Sequence, residues 1–160
     1  MLRNLVLALA ATAALAQGAA ASTITFIVPL DGQQEVPGPG DSDGSGVATL
    51  TIDSATNTIS WSIQVSNLDA VVAAHIHTGA AGAAGAPVVD FSGQLTGSGL
   101  VDADLVAVLA NPTLFYVNVH TTAFTGGAIR GQLGAPVPEP ASFALLAAAA
   151  GSLALARRRR

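Results

Sequence analysis

Two histidines stand one residue apart in the stretch AAHIHTGAAGAAGAPVVD, residues 73–90, and a third follows 43 positions beyond the second, at the end of LFYVNVH. Side chains alternate along an extended strand, so His75 and His77 share one face and Ile76 takes the other. His120 by the same rule shares a face with Tyr116 and Asn118, opposite Phe115, Val117 and Val119. If the two strands are neighbours, the sequence's three histidines converge. Neutral imidazole is a good ligand for copper or zinc, and three such ligands leave one coordination position open. The competing chemistry is structural. Imidazoles beside a Gly-rich turn can donate to loop carbonyls and fix the loop's shape, with Gly79, Gly82 and Gly85 supplying backbone freedom. No acid or other fourth ligand is evident beside the three histidines, which favours the structural reading while leaving the metal open.

Other chemistries find less support. Between Ser22 and Pro138 the only basic residue is Arg130, against nine acids, and no phosphate-binding surface can be built from that balance. Nucleic acid is therefore excluded as a partner. Arg130 is expected to form a partly buried ion pair with Glu35 or Asp90 and to act structurally. Cysteine is absent, which removes disulfides, thiol catalysis and cysteine-type zinc sites together. GDSDGSG, residues 40–46, alternates Asp with small residues as calcium loops do, but lacks the downstream bidentate Glu and reads as a solvated turn. The glycines of GAAGAAG do not follow the G-x-G-x-x-G order, and no G-x-S-x-G elbow marks a nucleophile.

The elements that must position these residues are strands. Period-two alternation in VATLTID and TISWSIQV, joined by SATN, predicts a hairpin over residues 47–66. Further strands are expected at 23–28, 72–77, 87–93, 114–120 and 128–133. One short helix, ADLVAVLA, is expected to be capped by Asp102 and stopped by Asn111-Pro112. About seven short strands with Gly-rich turns predict a mainly β fold, an antiparallel sandwich or barrel with one short helix. No repeat of 20–50 residues is present, so a solenoid is not indicated.

Both ends carry a different composition. Arg3, the apolar run Leu5–Ala16 and the small residues up to Ala21 have the three-part order of a secretory signal peptide over residues 1–21. At the other end Pro138 and Pro140 precede an uncharged, helix-forming run, Ala141–Ala156, and four terminal arginines. Sixteen helical residues span about 24 Å, short of the ~20 residues usual for crossing a bilayer, though sufficient for a thin one. The arginines would stay cytoplasmic and the domain outside. Val137-Pro138-Glu139-Pro140, a short apolar helix and an arginine tail resemble the PEP-CTERM sorting signal of Gram-negative bacteria. The resemblance implies exosortase as a partner, transient anchoring in the inner membrane through the helix, and release or attachment at the cell surface. Proteins of this type typically accompany exopolysaccharide and biofilm production.

The central region is also similar to a known module. Asp31-Gly32-Gln33-Gln34-Glu35-Val36-Pro37, Gly46-Val47-Ala48, Ala74-His75-Ile76-His77-Thr78-Gly79 with Gly82, Gly85 and Pro87-Val88-Val89, Val117-Asn118-Val119-His120-Thr121 and Ile129-Arg130-Gly131-Gln132-Leu133 occur in the order of the CHRD domain. The chain departs from that pattern at Ala128, where the family usually carries an acid. The resemblance implies an extracellular β-rich module, without supplying a reaction. His-x-His on a strand, a later Val-His and a late arginine are also similar to the copper/zinc superoxide dismutases. The bridging histidine, carboxylate set and cysteine pair of those enzymes have no counterpart, so dismutase activity is not implied. The expected organisation is a signal peptide at 1–21, a β domain at 22–134, a linker with the Pro-Glu-Pro motif at 135–140, and an apolar helix with arginine tail at 141–160. The expected function is that of an exported, noncatalytic cell-surface or matrix module, with extracellular polysaccharide as a candidate partner. A copper- or zinc-binding domain using His75, His77 and His120 is the alternative.

Overall fold

The computed structural model describes residues 23–137. The expected signal peptide, Pro138-Glu139-Pro140 and the C-terminal apolar helix lie outside the described residues. Eight antiparallel strands form one curled, half-barrel sheet. In chain order they are β1 (Thr23–Asp31), β2 (Ser45–Asp53), β3 (Thr58–Ser66), β4 (Val71–Thr78), β5 (Pro87–Asp90), β6 (Thr96–Val101), β7 (Phe115–Thr121) and β8 (Ile129–Gln132), with helix α1 (Leu105–Ala110) before β7. Across the sheet the order is β5-β4-β7-β8-β1-β2-β3-β6.

The alternation read from the sequence sets the core. Phe26 lies opposite Leu50 and Val28 opposite Ala48, while Leu50 in turn faces Trp61 and Ile52 faces Ile59. Each of these rows puts apolar side chains on the inside of the curl. Ala74, Ile76, Val117, Val119 and Ile129 continue that face across β4, β7 and β8, all fully buried. Leu105 and Val108, three apart on α1, present one buried helical face. The hairpin between β2 and β3 closes as its sequence suggests: Asp53 Oδ1 accepts from the N–H groups of Ala55 and Thr56, and Asn57 takes the left-handed conformation at φ 51°.

Three local features differ from the sequence expectation. β6, TGSGLV, lacks an apolar stripe because the Trp61 ring lies over Gly97, where any Cβ would run into it. The strand expected over 87–93 ends at Asp90. There Asp90 Oδ1 accepts from Ser92 N–H at 2.6 Å, and Ser92 and Gly93 turn the chain at φ 52° and 68°. Helix α1 begins at Leu105, not at Ala103. Asp102 does not cap it; its Oδ1 accepts from Asp104 N–H at 2.9 Å, and Asp104 stands in the cap position without a side-chain bond.

Beyond β8 the chain runs alongside the first half of β1, where Val137 N–H donates to Thr25 O at 2.7 Å. Burial predicts the cost of altering either side of the sheet. Leu50→Ala should destabilise the domain by about 3 kcal/mol, whereas Ile27→Ser, at a side chain 55% exposed, should change stability by less than about 0.5 kcal/mol. Denaturant unfolding of the two variants checks the contrast.

Candidate metal centre

Every residue of β7 is buried, although only one of its faces is apolar. Register explains what occupies the other. Asp90, His75, Asn118, Arg130 and Asp31 form one row across β5, β4, β7, β8 and β1, and His77, Tyr116 and Gln132 form the next. This polar face is roofed by three loops. Residues 79–86 fold back through Thr78 N–H to Ala86 O, and 122–128 through Gly127 N–H to Phe124 O. Residues 32–44 begin with the one-turn 3-10 helix Gly32–Gln34 and are held by Asp41 N–H to Ala128 O.

β4 and β7 are neighbours, so the three histidines meet beneath that roof. One ligand nitrogen from each ring lies within 4.8 Å of the other two. Ring centroids are 5.3 Å apart for His75 and His77, 5.1 Å for His75 and His120, and 5.7 Å for His77 and His120.

The outer nitrogens are committed. His77 Nδ1 lies 3.0 Å from Gly85 O, and His120 Nδ1 lies 3.0 Å from Thr125 O. A carbonyl can only accept, so both Nδ1 atoms carry the proton and each Nε2 keeps its lone pair. His75 Nε2 faces Asp90 Oδ1 at 3.5 Å, so that in the neutral ring with its proton on Nε2 the free lone pair is on Nδ1. The three nitrogens so freed, Nδ1 of His75 and Nε2 of His77 and His120, are all buried without a hydrogen-bond partner. Burial holds the pKa of His77 and of His120 below the ordinary 6.5 despite the carbonyl bonds, which raise them. Neutral rings with one nitrogen anchored and one bare are what a metal requires of histidine ligands.

The spacing fits an ion with small adjustment. An equilateral triangle of side 4.8 Å has its centre about 2.8 Å from each corner. Bonds of about 2.0–2.1 Å then need each ring to advance by roughly 0.7 Å. Among the described residues no other cluster of three or more His, Cys, Asp or Glu has this convergence, and the GDSDGSG turn, with Asp41 buried, is not among such clusters.

The glycines serve both backbone freedom and close approach, Gly79 and Gly82 standing at φ 141° and 79°. A Cβ on Gly85 would run into the Thr78 carbonyl, and one on Gly79 would meet Ala83 O at 2.6 Å. Gly82 sits in open space at φ 79°. Gly85→Ala should therefore cost about 2–4 kcal/mol and displace the carbonyl that anchors His77, whereas Gly82→Ala should cost only about 1 kcal/mol. Thermal unfolding of the two variants tests that ranking.

Arg130 departs from the expected ion pair. Within 4.0 Å the ion pair among the described residues is His75–Asp90. Asp90 is three strands from Arg130, and Glu35 attracts it only at longer range. Instead the guanidinium lies 3.5 Å from the centroid of Tyr116, and Nη2 donates to Ala80 O and Gln132 Oε1. The other neighbour of Tyr116 is His77, stacked at 5.0 Å. Arg130 thus braces the ring that braces a histidine.

Sequence reasoning placed Tyr116 and Asn118 on the histidine face but gave them no part. Glu35 enters the sequence reading only as a possible ion-pair partner of Arg130, not as a hydrogen-bonded member of this layer. Glu35 accepts from Asn118 Nδ2 at 3.5 Å through Oε2, and its Oε1 is unpartnered. Burial raises its pKa from 4.5 to about 7, against the lowering influence of Arg130 and Asn118. The folded state therefore holds this proton where the unfolded chain has released it, so Glu35 lowers stability as pH rises from 4.5 to 7. The unscreened limit of that loss is about 3 kcal/mol, and solvent screening at the adjoining clefts reduces it to the order of 1–2 kcal/mol. His77 and His120 act oppositely, losing stability below pH 6.5, and do so equally in a Glu35→Gln variant. The stability difference, wild type minus Glu35→Gln, should fall across pH 4.5–7 and flatten above it; chemical denaturation at stepped pH measures this.

With the geometry described, comparison with known proteins adds two matches. The family model of the CHRD domain matches residues 26–133, and that of the PEP-CTERM protein-sorting motif matches residues 136–160. The second implies export and sorting to the cell surface of a Gram-negative bacterium, with exosortase as the recognising partner. No curated protein and no solved structure matches the chain.

Proposed function

The chain belongs to the CHRD family, and from that premise we propose that it is a noncatalytic module of the cell surface or matrix that holds one copper or zinc ion on His75, His77 and His120. Its place alongside exopolysaccharide or biofilm is part of the same proposal, and rests on the sorting motif. Two observations together carry the metal reading: each imidazole has one nitrogen buried and bare while its other faces a carbonyl or carboxylate, and one ligand nitrogen from each ring lies within 4.8 Å of the other two. Structural histidines would need only the outer bonds. Leaving three polar atoms unpaired under a loop roof costs about 1–3 kcal/mol each, and an ion satisfies all three at once. Two backbone carbonyls and Asp90 then serve as the outer partners that orient the ligands.

Zinc and copper both suit an all-imidazole set. A fourth position is left for water or another ligand, since among the described residues no fourth His, Cys, Asp or Glu joins the three. The expected result of adding one equivalent of copper(II) or zinc to metal-free protein is stoichiometric uptake by elemental analysis. The melting temperature should rise with free metal concentration as linkage demands. His77→Ala and His120→Ala should each lose tight binding. Protein that takes up neither metal, or variants that load as the parent does, would refute the assignment.

A further inference from the structure

The two described ends of the chain stand together. Thr23 begins β1, and Val137 bridges Thr25 antiparallel along the same strand. Register carries that end of β1 across the sheet: Thr23 lies opposite Asp53, Asp53 opposite Thr58, and Thr58 opposite Val101 at the close of β6. Helix α1 starts from the same end, where Asp102 N–H donates to Asn57 O. It buries Leu105 and Val108 in the core and turns Val106, Ala107 and Ala110 outward. Val101, Val106 and Val137 are 68%, 57% and 41% exposed, so this end of the sheet presents apolar side chains to its surroundings. Attraction to a partner here is apolar and not electrostatic, because Asp53, Asp102 and Asp104 stand at this end and Arg130, the one basic residue of 23–137, is buried.

What covers such a surface follows from the chain that leaves it. Pro138-Glu139-Pro140, between Val137 and the apolar run Ala141–Ala156, reach no more than about 11 Å. On the other side residues 17–22, between the apolar run Leu5–Ala16 and Thr23, reach no more than about 22 Å. With those runs in a bilayer, both connections hold the same end of the sheet against its surface. Links this short give an effective concentration in the millimolar range, at which a few apolar side chains suffice for contact. We propose that this end of the domain, centred on Val101 and the outer face of α1, is a docking surface for the membrane across which the chain is exported. It rests on the reading of the sorting motif as a signal that acts at the membrane, and is independent of the metal. Asp31, at the other end of β1, is roughly 26 Å away along the strand and leads into the 32–44 loop, which is joined to 122–128 by Asp41 N–H to Ala128 O. Docking therefore turns the 36–44 and 122–128 loops away from lipid.

The test uses the full chain, ¹⁵N-labelled, in phosphatidylcholine bicelles containing a small fraction of lipid spin-labelled near the headgroup end of its acyl chain. Among the amide signals of the domain, those of residues 54–57, 101–102 and 105–110 should lose the most intensity, and those of 36–44 and 122–128 the least. The double substitution Val101→Ser, Val106→Ser should reduce the loss at 54–57 about threefold. Both side chains are exposed, so far-UV dichroism of the variant should match the parent. Equal loss across the domain, greatest loss at 36–44 or 122–128, or a double variant that behaves as the parent would each overturn the assignment. If the signals of this end move with protein concentration and not with the lipid label, a second copy of the chain is the occupant and the membrane assignment falls. Residues 141–156 report on the premise. No loss there means that the chain is not held by the membrane, and the docking fails together with that premise; loss there with none in the domain overturns the docking alone.

Discussion

A strand buried on both faces needs two kinds of cover, and β7 is such a strand. Its inner face is covered by the apolar interior of the curled sheet. Its outer face carries Tyr116, Asn118 and His120, which cannot be buried without partners. Three loops close over it, and two of them, 79–86 and 122–128, do so by supplying carbonyls. Gly85 O takes the His77 proton, Thr125 O takes the His120 proton, and Ala80 O takes one from Arg130. The loops are held down by the polar residues they hide, and the same bonds decide which nitrogen of each imidazole is left bare.

The polar layer is divided by its only tyrosine. On one side Tyr116 stacks on His77, and on the other it receives the Arg130 guanidinium. Buried charge with no carboxylate in contact is costly. Arg130 manages it through the ring face, Ala80 O and Gln132 Oε1, with Glu35 contributing at a distance. Glu35 is itself the less well compensated member, which is why its proton is retained to about pH 7. Two chemistries, imidazoles on one side and a guanidinium with a more distant carboxyl on the other, are thereby kept apart within one layer.

Much of this was legible in the sequence. Alternation located seven of the eight strands, and the shared face of Tyr116, Asn118 and His120 followed from period two alone. The meeting of His120 with His75 and His77 required β4 to lie beside β7, which no local pattern encodes. β6 escaped because Gly97 stands where an apolar residue would have marked the strand, its place filled by the Trp61 ring. The expected Arg130 ion pair was wrong because charge balance says which residues could attract one another, while register decides which can touch. Glu35 was seen only as a possible partner for that arginine. Its burial depends on the 32–44 loop folding over the sheet, which has no periodicity to read.

The hydrogen bond from Val137 to Thr25 has a mechanical meaning. If the chain is tethered through its C-terminal side, tension enters the domain at this one bond, beside the free half of the β1 edge. Force applied there works on that bond singly before it reaches the bond from Leu133 N–H to Phe115 O and the pairing of β8 with β7. The terminal segment can thus yield first as a short extensible leader, and the histidine layer, held between β4 and β7, lies behind that release and stays unloaded while it gives.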